Sequence, residues 1–152
     1  MRGALVLFVL MAGQAAGQME REMLAAHNAV RARVGVPRLV WSGELARYAR
    51  EWAERLVVRR EFGHRPDTPL GENLFSITGD VSSARKVVGV WAAEAKGYNH
   101  RANRCRGVCG HYTQIVWRET ERVGCGVARG GGREVWVCNY DPPGNWDGRR
   151  PY

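Results

Sequence analysis

This chain has only four cysteines, few lysines and no long apolar run. The cysteine spacing, the lack of apolar runs and the distribution of charge each exclude a class of protein. The four cysteines have a spacing that matches no zinc-ribbon or zinc-finger pattern. After the first residues, no apolar run approaches the roughly 20 residues of a membrane-spanning helix. The net charge of +8 comes almost entirely from arginines scattered singly or in pairs. Without a basic stripe or a nucleic-acid motif, this charge indicates a solvated basic surface and no nucleic-acid partner.

The first residues have the pattern of a signal peptide. Arg2 supplies a short positive segment, and Leu5–Met11 forms an apolar stretch that is too short to span a bilayer. The small residues of Ala15–Gly17 favour cleavage before Gln18. We therefore predict a signal peptide over residues 1–17 and secretion to the extracellular space (the apoplast in a plant). The alternative is a buried N-terminal helix.

Four cysteines in an exported chain predict two disulfides, for which three connectivities exist. Val123–Ala128 and Glu134–Tyr140 have the pattern of strands and flank a glycine-rich turn. If Ala128 lies opposite Val135, one pair of cysteines falls directly across the hairpin, at a distance that a disulfide can bridge. The other pair then closes a tight loop. The predicted bridges are Cys125–Cys138 and Cys105–Cys109.

The remaining chain predicts helices packed on a small antiparallel sheet, an α+β fold in one domain over residues 18–152. Glu20–Val34 has the pattern of a helix, and Ser42 is placed to cap a second, amphipathic one. Ser82 or Ser83 begins a third helix, and Leu74–Ile77 is a candidate strand.

Four motifs occur in an order that resembles one known family. They are His27–Arg31, Gly71–Leu74, His111–Trp117 and Cys138–Trp146. Together they resemble the signature motifs of the CAP superfamily (cysteine-rich secretory proteins, antigen 5 and pathogenesis-related proteins), and the resemblance extends from about Met23 to the last residue. It implies an α–β–α sandwich, with helices on both faces of the sheet.

Two further segments resemble plant pathogenesis-related class 1 proteins in particular. These are Cys105–Tyr112 and Gly144–Tyr152. The plant proteins usually have six cysteines, and this chain has Arg60 and Gly130 where two of them are expected. Because those two pair with each other in the family, the resemblance implies that one whole disulfide is lost and that no thiol is left free.

The resemblance also implies a central cavity lined by two histidines and two glutamates. The matching positions are His64, Glu72, Glu94 and His111. Such groups either bind a divalent metal such as zinc or satisfy one another as a polar network. We expect the network, with no cofactor required and metal binding as an occasional property. No residues form a convincing catalytic triad, so we expect no enzyme, and a metal-dependent hydrolase is the minor alternative.

A second set of polar residues is expected to brace the fold. His27, Asn28 and Arg31 lie at helical spacing, and the family pattern implies that they connect the first helix to a buried hydrogen-bond network. Asn73 and Asn139 are expected to act in the same way, because buried amides need partners. Three aromatic residues are expected in the core, namely Trp117, Trp136 and Tyr140.

The resemblance implies that this chain is a secreted defence protein that binds sterols or other lipids and acts on oomycetes or fungi. The candidate rim of the lipid site is the segment Trp91–Asn103, with Trp91 and Tyr98 as its aromatic residues. The alternative for Trp91 is an ordinary place in the core. We expect a monomer whose basic surface favours contact with pathogen membranes or acidic cell walls.

The extension 142–152 suggests a second function. In the plant proteins, the segment that begins at the proline matching Pro142 resembles a releasable signalling peptide. The corresponding cut lies between Asp141 and Pro142 and releases Pro142–Tyr152. The alternative is an extended segment that packs over the sheet.

Overall fold

The computed structural model describes the backbone of residues 3–152 and the side chains of residues 17–152. Apart from Gly17, the side chains of the predicted signal peptide lie outside the described range. The helix predicted over Glu20–Val34 forms the later part of a longer helix, Gly3–Ala32. No helix in the described part of the chain is both long and apolar enough to cross a membrane.

Helices and strands alternate along the chain and build one main sheet with helices around it. The helices are α1 (Gly3–Ala32), α2 (Gly43–Arg59), α3 (Ala84–Ala93) and α4 (Gly110–Ile115), with a 3-10 turn at Glu94–Gly97. The strands are β1 (Val40–Trp41), β2 (Gly71–Thr78), β3 (Tyr98–Asn99), β4 (Arg104–Cys105), β5 (Arg122–Gly130) and β6 (Arg133–Asp141).

The main sheet has the strand order β1-β5-β6-β2. The predicted hairpin is confirmed as β5 and β6, with Ala128 opposite Val135 as expected. The sheet is not purely antiparallel, because the two-residue strand β1 pairs with β5 in parallel. A second, small antiparallel sheet is made of β3 and β4.

Helices cover both faces of the sheet, which confirms the sandwich. Val135 and Val137 of β6 form one apolar cluster with Trp52 and Leu56 of α2. The alternate residues of β6, including Trp136 and Tyr140, face α1, α3 and α4. This arrangement follows from the two-residue period of a strand, which sends successive side chains to opposite faces.

Both predicted disulfides are present, and all four cysteines are paired. Cys125 and Cys138 lie directly opposite each other in the hairpin, with Cα atoms 4.0 Å apart. Cys105 and Cys109 close the short segment between β4 and α4, with Cα atoms 6.0 Å apart.

Two serines begin helices as the sequence indicates. The Ser42 hydroxyl accepts a hydrogen bond from the Leu45 N–H at the start of α2. Of the two candidates before α3, Ser83 is the cap, because its hydroxyl accepts from the Lys86 N–H. Each cap satisfies one of the backbone donors that the first turn of a helix leaves without a partner.

Two glycines of β5 allow α2 to approach the sheet closely. A Cβ atom on Gly124 would lie 2.2 Å from the Ala46 nitrogen and 2.5 Å from the Ser42 carbonyl oxygen. A Cβ atom on Gly126 would lie 2.5 Å from the Arg50 Cα. Because these neighbours are backbone atoms of a packed helix, α2 would have to move to make room for a side chain.

We therefore expect Gly124→Ala to lower the free energy of unfolding by about 1–3 kcal/mol, measured by urea titration with the disulfides intact. Gly89→Ala is the matched control, because a Cβ there meets nothing within 4 Å in the middle of α3. The control should be more stable than the parent by about 0.5–1 kcal/mol. Equal stabilities for the two variants would contradict the close packing of α2 on β5.

Candidate functional site

A chain of buried hydrogen bonds joins α1 to the centre of the sheet. The Tyr140 oxygen accepts from the Asn73 side-chain amide at 3.1 Å and pairs with His27 Nε2 at 2.8 Å. His27 Nδ1 lies 2.8 Å from the Met23 carbonyl oxygen, which only accepts. The neutral tautomer with hydrogen on Nδ1 satisfies all these groups, with Tyr140 donating to Nε2. Burial lowers the pKa of His27 to about 4, consistent with a neutral ring.

Arg31 and Asn28 attach the same helix to the segments around it. The Arg31 guanidinium is fully buried and donates to four carbonyl oxygens, at distances between 2.6 and 3.1 Å. The acceptors are the carbonyls of Pro37, Ile115, Trp117 and Thr120. Asn28 exchanges two hydrogen bonds with the Leu39 backbone. These hydrogen bonds connect α1 to the segment before β1, to the end of α4 and to the segment after it.

The four cavity residues form two His–Glu pairs. His64 Nδ1 lies 2.8 Å from Glu72 Oε1, and this hydrogen bond raises the pKa of His64. The Glu72 side chain is 3% exposed, whereas that of His64 is 64% exposed. Glu72 also accepts from the Arg65 N–H and from the side-chain amide of Asn139. The carboxylate is thus held by three donors on two segments of the chain, the loop at His64 and Arg65 and strand β6 at Asn139.

The second pair joins α4 to the end of α3. His111 Nδ1 lies 2.6 Å from Glu94 Oε1, and Glu94 Oε2 accepts from the N–H groups of His111 and Tyr112. The His111 ring stacks on Trp91, with ring centroids 6.0 Å apart and planes 14° apart. The Asn73 side chain donates to the His111 carbonyl, so this pair is linked to the buried network around Tyr140.

The pairing decides which of these residues could hold a metal ion. Among the described side chains, no three ligand atoms of the tetrad lie within 4.8 Å of one another. Each carboxylate instead orients one histidine through its Nδ1, as the outer carboxylates of many metal sites do. The Nε2 atoms of His64 and His111 are therefore the donors left for a metal such as zinc, with Glu72 and Glu94 as supports.

The three-residue cluster that does meet this distance is His27 with Cys125 and Cys138. The two sulfur atoms are joined in a disulfide, so they are not the thiolates that bind metal. Both nitrogens of His27 are also occupied by hydrogen bonds. This cluster is therefore part of the core.

The prediction that Trp91 lines an exposed lipid rim is wrong. Its side chain is 1% exposed, and its indole N–H donates to the Leu74 carbonyl in the core. Tyr98 is partly buried and donates its hydroxyl hydrogen to Asn103. It packs against Tyr112 and Tyr152, so it belongs to an aromatic cluster at the end of the sandwich.

A groove of about 830 Å³ runs between α1 and α3. Its apolar lining includes Ala25, Ala29, Val30, Val88, Gly89 and Ala92, and its basic residues are Arg21, Arg33, Arg85 and Lys96. The predicted rim segment contributes to this groove through Ala92, Ala93, Ala95 and Lys96, but not through its aromatic residues. The signal for the groove is visible in the sequence, because Ala25 and Ala29 lie one helical turn apart. The sequence does not show which helix faces these two alanines.

The predicted cleavage point lies where β6 ends. Asp141 is the last residue of the strand, and its carboxylate pairs with Arg122 on the neighbouring strand. Pro142 is exposed, and the residues after it form no helix or strand. They fold back over α4 and the β3–β4 loop, with contacts that are described below.

Comparison with known proteins agrees with this architecture. A profile of the cysteine-rich secretory protein family, CAP, matches residues 24–140. The chain therefore belongs to the CAP family, as its motifs indicated.

Among the relatives of this chain are plant proteins. Pathogenesis-related protein 1A of Nicotiana tabacum is 42% identical over 152 residues, covering 97% of this chain and 90% of the relative. Pathogenesis-related protein 1 of Arabidopsis thaliana is 40% identical over 154 residues, covering 97% and 94%. Among solved structures, Schistosoma mansoni venom allergen-like protein 4 has a TM-score of 0.72 at 29% identity, covering 88% of this chain and 93% of that protein. None of these names describes an enzyme.

Proposed function

We propose that this chain is a secreted defence protein of the pathogenesis-related class 1 type that binds a sterol or another lipid in the groove between α1 and α3. The defence role is supported by relatives that are about 40% identical over nearly the whole chain. Secretion is supported by the signal-peptide pattern and by the family's description as secretory proteins. The groove itself is the observation that carries the lipid-binding proposal.

The groove has the physical properties that a lipid site needs. Its volume of about 830 Å³ is within the usual range of small-molecule sites, roughly 300–1,000 Å³. Alanine and valine side chains and the backbone of Gly89 line much of it, so an apolar body can lie against both helices. Basic side chains, among them Arg33 and Lys96, are placed to contact a polar head group. An amphiphile with an apolar body and a polar end therefore fits the lining.

Gly89→Trp should block this binding. The added side chain starts from a position that has open space around it and extends from α3 into the groove. We expect the affinity for a labelled sterol, measured by titration of the oxidised protein, to fall by about tenfold or more. Gly89→Ala is the control and should bind like the parent. Unchanged binding by the tryptophan variant, with its circular dichroism unaltered, would exclude the groove as the lipid site.

Lipid binding is expected to need neither metal nor the tetrad. Neither a chelator nor His111→Ala should change the affinity for the sterol, because His111 is not among the residues that line the groove. Loss of binding with chelator would move the function to the His64 and His111 pairs. Hydrolytic activity that disappears in Glu72→Gln would support the metal-dependent hydrolase instead.

The exposed position of Pro142 at the end of β6 favours a second function, that of a precursor of a signalling peptide. The Asp141 carbonyl accepts a hydrogen bond from the Glu121 N–H, so a protease has to open this last pairing of the sheet to reach the bond between Asp141 and Pro142. We expect the synthetic peptide Pro142–Tyr152 to elicit a defence response in plant tissue, measured against a scrambled peptide of the same composition. Equal responses to the two peptides would exclude this function.

A further inference from the structure

The segment Pro142–Tyr152, called the tail below, is held to the rest of the protein at both of its ends. The Thr120 hydroxyl donates to the Pro142 carbonyl at 2.9 Å. At the other end, the Arg118 N–H donates to the Pro151 carbonyl at 2.7 Å, and Pro151 is buried. These two bonds fix where the tail enters and leaves one surface of the protein.

Polar contacts hold the middle of the tail on α4. The Gly144 N–H donates to Gln114 Oε1 at 2.9 Å, and Gln114 is itself buried and held by Thr120. Asn145 accepts from the Thr113 hydroxyl at 2.7 Å and donates to the Gly110 carbonyl at 2.9 Å. The tail is thus bound through main-chain and side-chain groups together.

Gly144 fits this surface because it has no side chain. A Cβ atom there would lie 2.7 Å from Trp117 Cγ and 2.9 Å from Gln114 Nε2. The Trp117 ring is 2% exposed, so it has little room to move away. Any larger residue would lift the tail from α4.

An aromatic cluster receives the last residue. The Tyr152 ring stacks on His100, with ring centroids 4.4 Å apart and planes 5° apart, and makes an edge contact with Tyr98. Its hydroxyl is 3.1 Å from the Tyr112 hydroxyl. Burial and the proximity of Tyr152 raise the pKa of Tyr112, consistent with a partly desolvated hydroxyl at this contact.

We infer that these surfaces form a peptide-binding cleft whose ligand is the tail itself, so that cutting the chain does not by itself release the peptide. This inference rests on the precursor function proposed above. An external endoprotease would add water across the Asp141–Pro142 amide, leaving a carboxylate on Asp141 and a protonated secondary amine on Pro142. Each of these contacts joins a residue of the tail to a residue of the body, and none depends on the Asp141–Pro142 bond. The cut therefore leaves all of them in place.

The consequence is a two-step release. The first step is hydrolysis, and the second is dissociation of an eleven-residue, proline- and glycine-rich peptide that ends in Pro-Tyr. After dissociation, the cleft is free to bind another peptide with this ending. The β3–β4 loop would lose contacts at the same time, because Asn103 donates to carbonyls of the tail at 3.3 and 3.5 Å.

The test uses the oxidised full chain with a protease recognition sequence inserted between Asp141 and Pro142. After complete cutting, gel filtration and mass spectrometry should find the tail with the body, and denaturant should separate them. Circular dichroism before and after cutting checks that the body stays folded. A tail that separates at once from a folded body would overturn the inference.

Variants of the tail make the test specific. In the cut protein, Gly144→Ala and Tyr152→Ala should each weaken retention by about tenfold or more. Asp147→Ala is the control, because Asp147 is exposed, and it should leave retention unchanged. Equal retention of all three tails would show that the contacts described here do not hold the peptide, and would also overturn the inference.

The outcome is independent of the signalling assay. A peptide that is retained after cutting but is inactive in plant tissue would exclude the precursor function and leave the cleft in place. A peptide that is active in plant tissue but separates immediately from the body would support the precursor function and overturn the inference of a cleft.

Discussion

Replacing Arg31 by methionine should lower the free energy of unfolding by about 3–5 kcal/mol, which is a large part of the stability of a domain of this size. Arg31 is fully buried and carries the only side-chain donors of its four carbonyl acceptors among the described residues. Methionine fills a similar volume but donates no hydrogen bond. Each carbonyl that loses its partner without gaining water costs about 1–3 kcal/mol.

The geometry of the guanidinium makes this effect specific to arginine. Its Nε and both terminal nitrogens point to carbonyls of two separate segments, at Pro37 and between Ile115 and Thr120, which a single ammonium group cannot reach together. Burial lowers the pKa of Arg31 to about 10, so the group is still charged at neutral pH. Arg31→Lys should therefore be intermediate in stability between the parent and Arg31→Met.

Urea titration at neutral pH with the disulfides intact measures this effect. Arg47→Met is the matched control, because Arg47 lies exposed on α2, and its stability should stay within about 0.5 kcal/mol of the parent. If the two methionine variants were equally stable, the buried guanidinium would not be the link between α1 and the segment after α4.

Acid should destabilise the protein through His27, by up to about 3 kcal/mol between neutral pH and pH 4. Burial lowers the pKa of His27 in the folded state to about 4, whereas an unfolded histidine titrates near 6.5. Between these two values the unfolded chain binds a proton that the folded protein does not. Stability is therefore complete above the unfolded pKa and is lost as the pH falls towards the folded pKa.

Burial and Arg31 oppose the protonation of His27, and they outweigh the hydrogen bond to the Met23 carbonyl, which favours it. Arg31 adds a positive charge on the same helix. Tyr140 is neutral, because burial raises its pKa well above the usual value, and it already donates its hydrogen to Nε2. The Cys125–Cys138 disulfide beside the ring carries no charge. A proton on Nε2 would place two hydrogens in one hydrogen bond, so the network would have to open.

The measurement is the slope of the unfolding free energy with pH between pH 4 and 6.5. His27→Gln should flatten the slope, whatever its effect on stability at neutral pH. His64→Gln is the control, because the Glu72 hydrogen bond raises the pKa of His64 and so favours the folded state at lower pH. That contribution is complete below the unfolded pKa near 6.5 and is lost above it, so removing His64 should leave the slope between pH 4 and 6 almost unchanged. A parent protein with no slope in this range would contradict the role given to His27.

Local features of the sequence were sufficient for several parts of the fold. The register of β5 and β6 followed from a glycine-rich turn between two alternating strands, and this register placed Cys125 opposite Cys138. Ser42 was identified as a cap from its position before an amphipathic stripe. Such features depend on neighbours within a few residues, where turn chemistry and periodicity act directly. The parallel strand β1 was missed, because two residues carry no readable period.

The sequence by itself therefore determined the family and both disulfides, because motifs, turns and strand periods depend on residues close together in the chain. The tertiary structure decided that Glu72 and Glu94 each orient one histidine, that Trp91 is buried and that a groove opens between α1 and α3. It also decided where the tail docks. These features join residues far apart in the chain, such as His27 and Tyr140 with a separation of 113, and no local pattern specifies which distant surfaces meet.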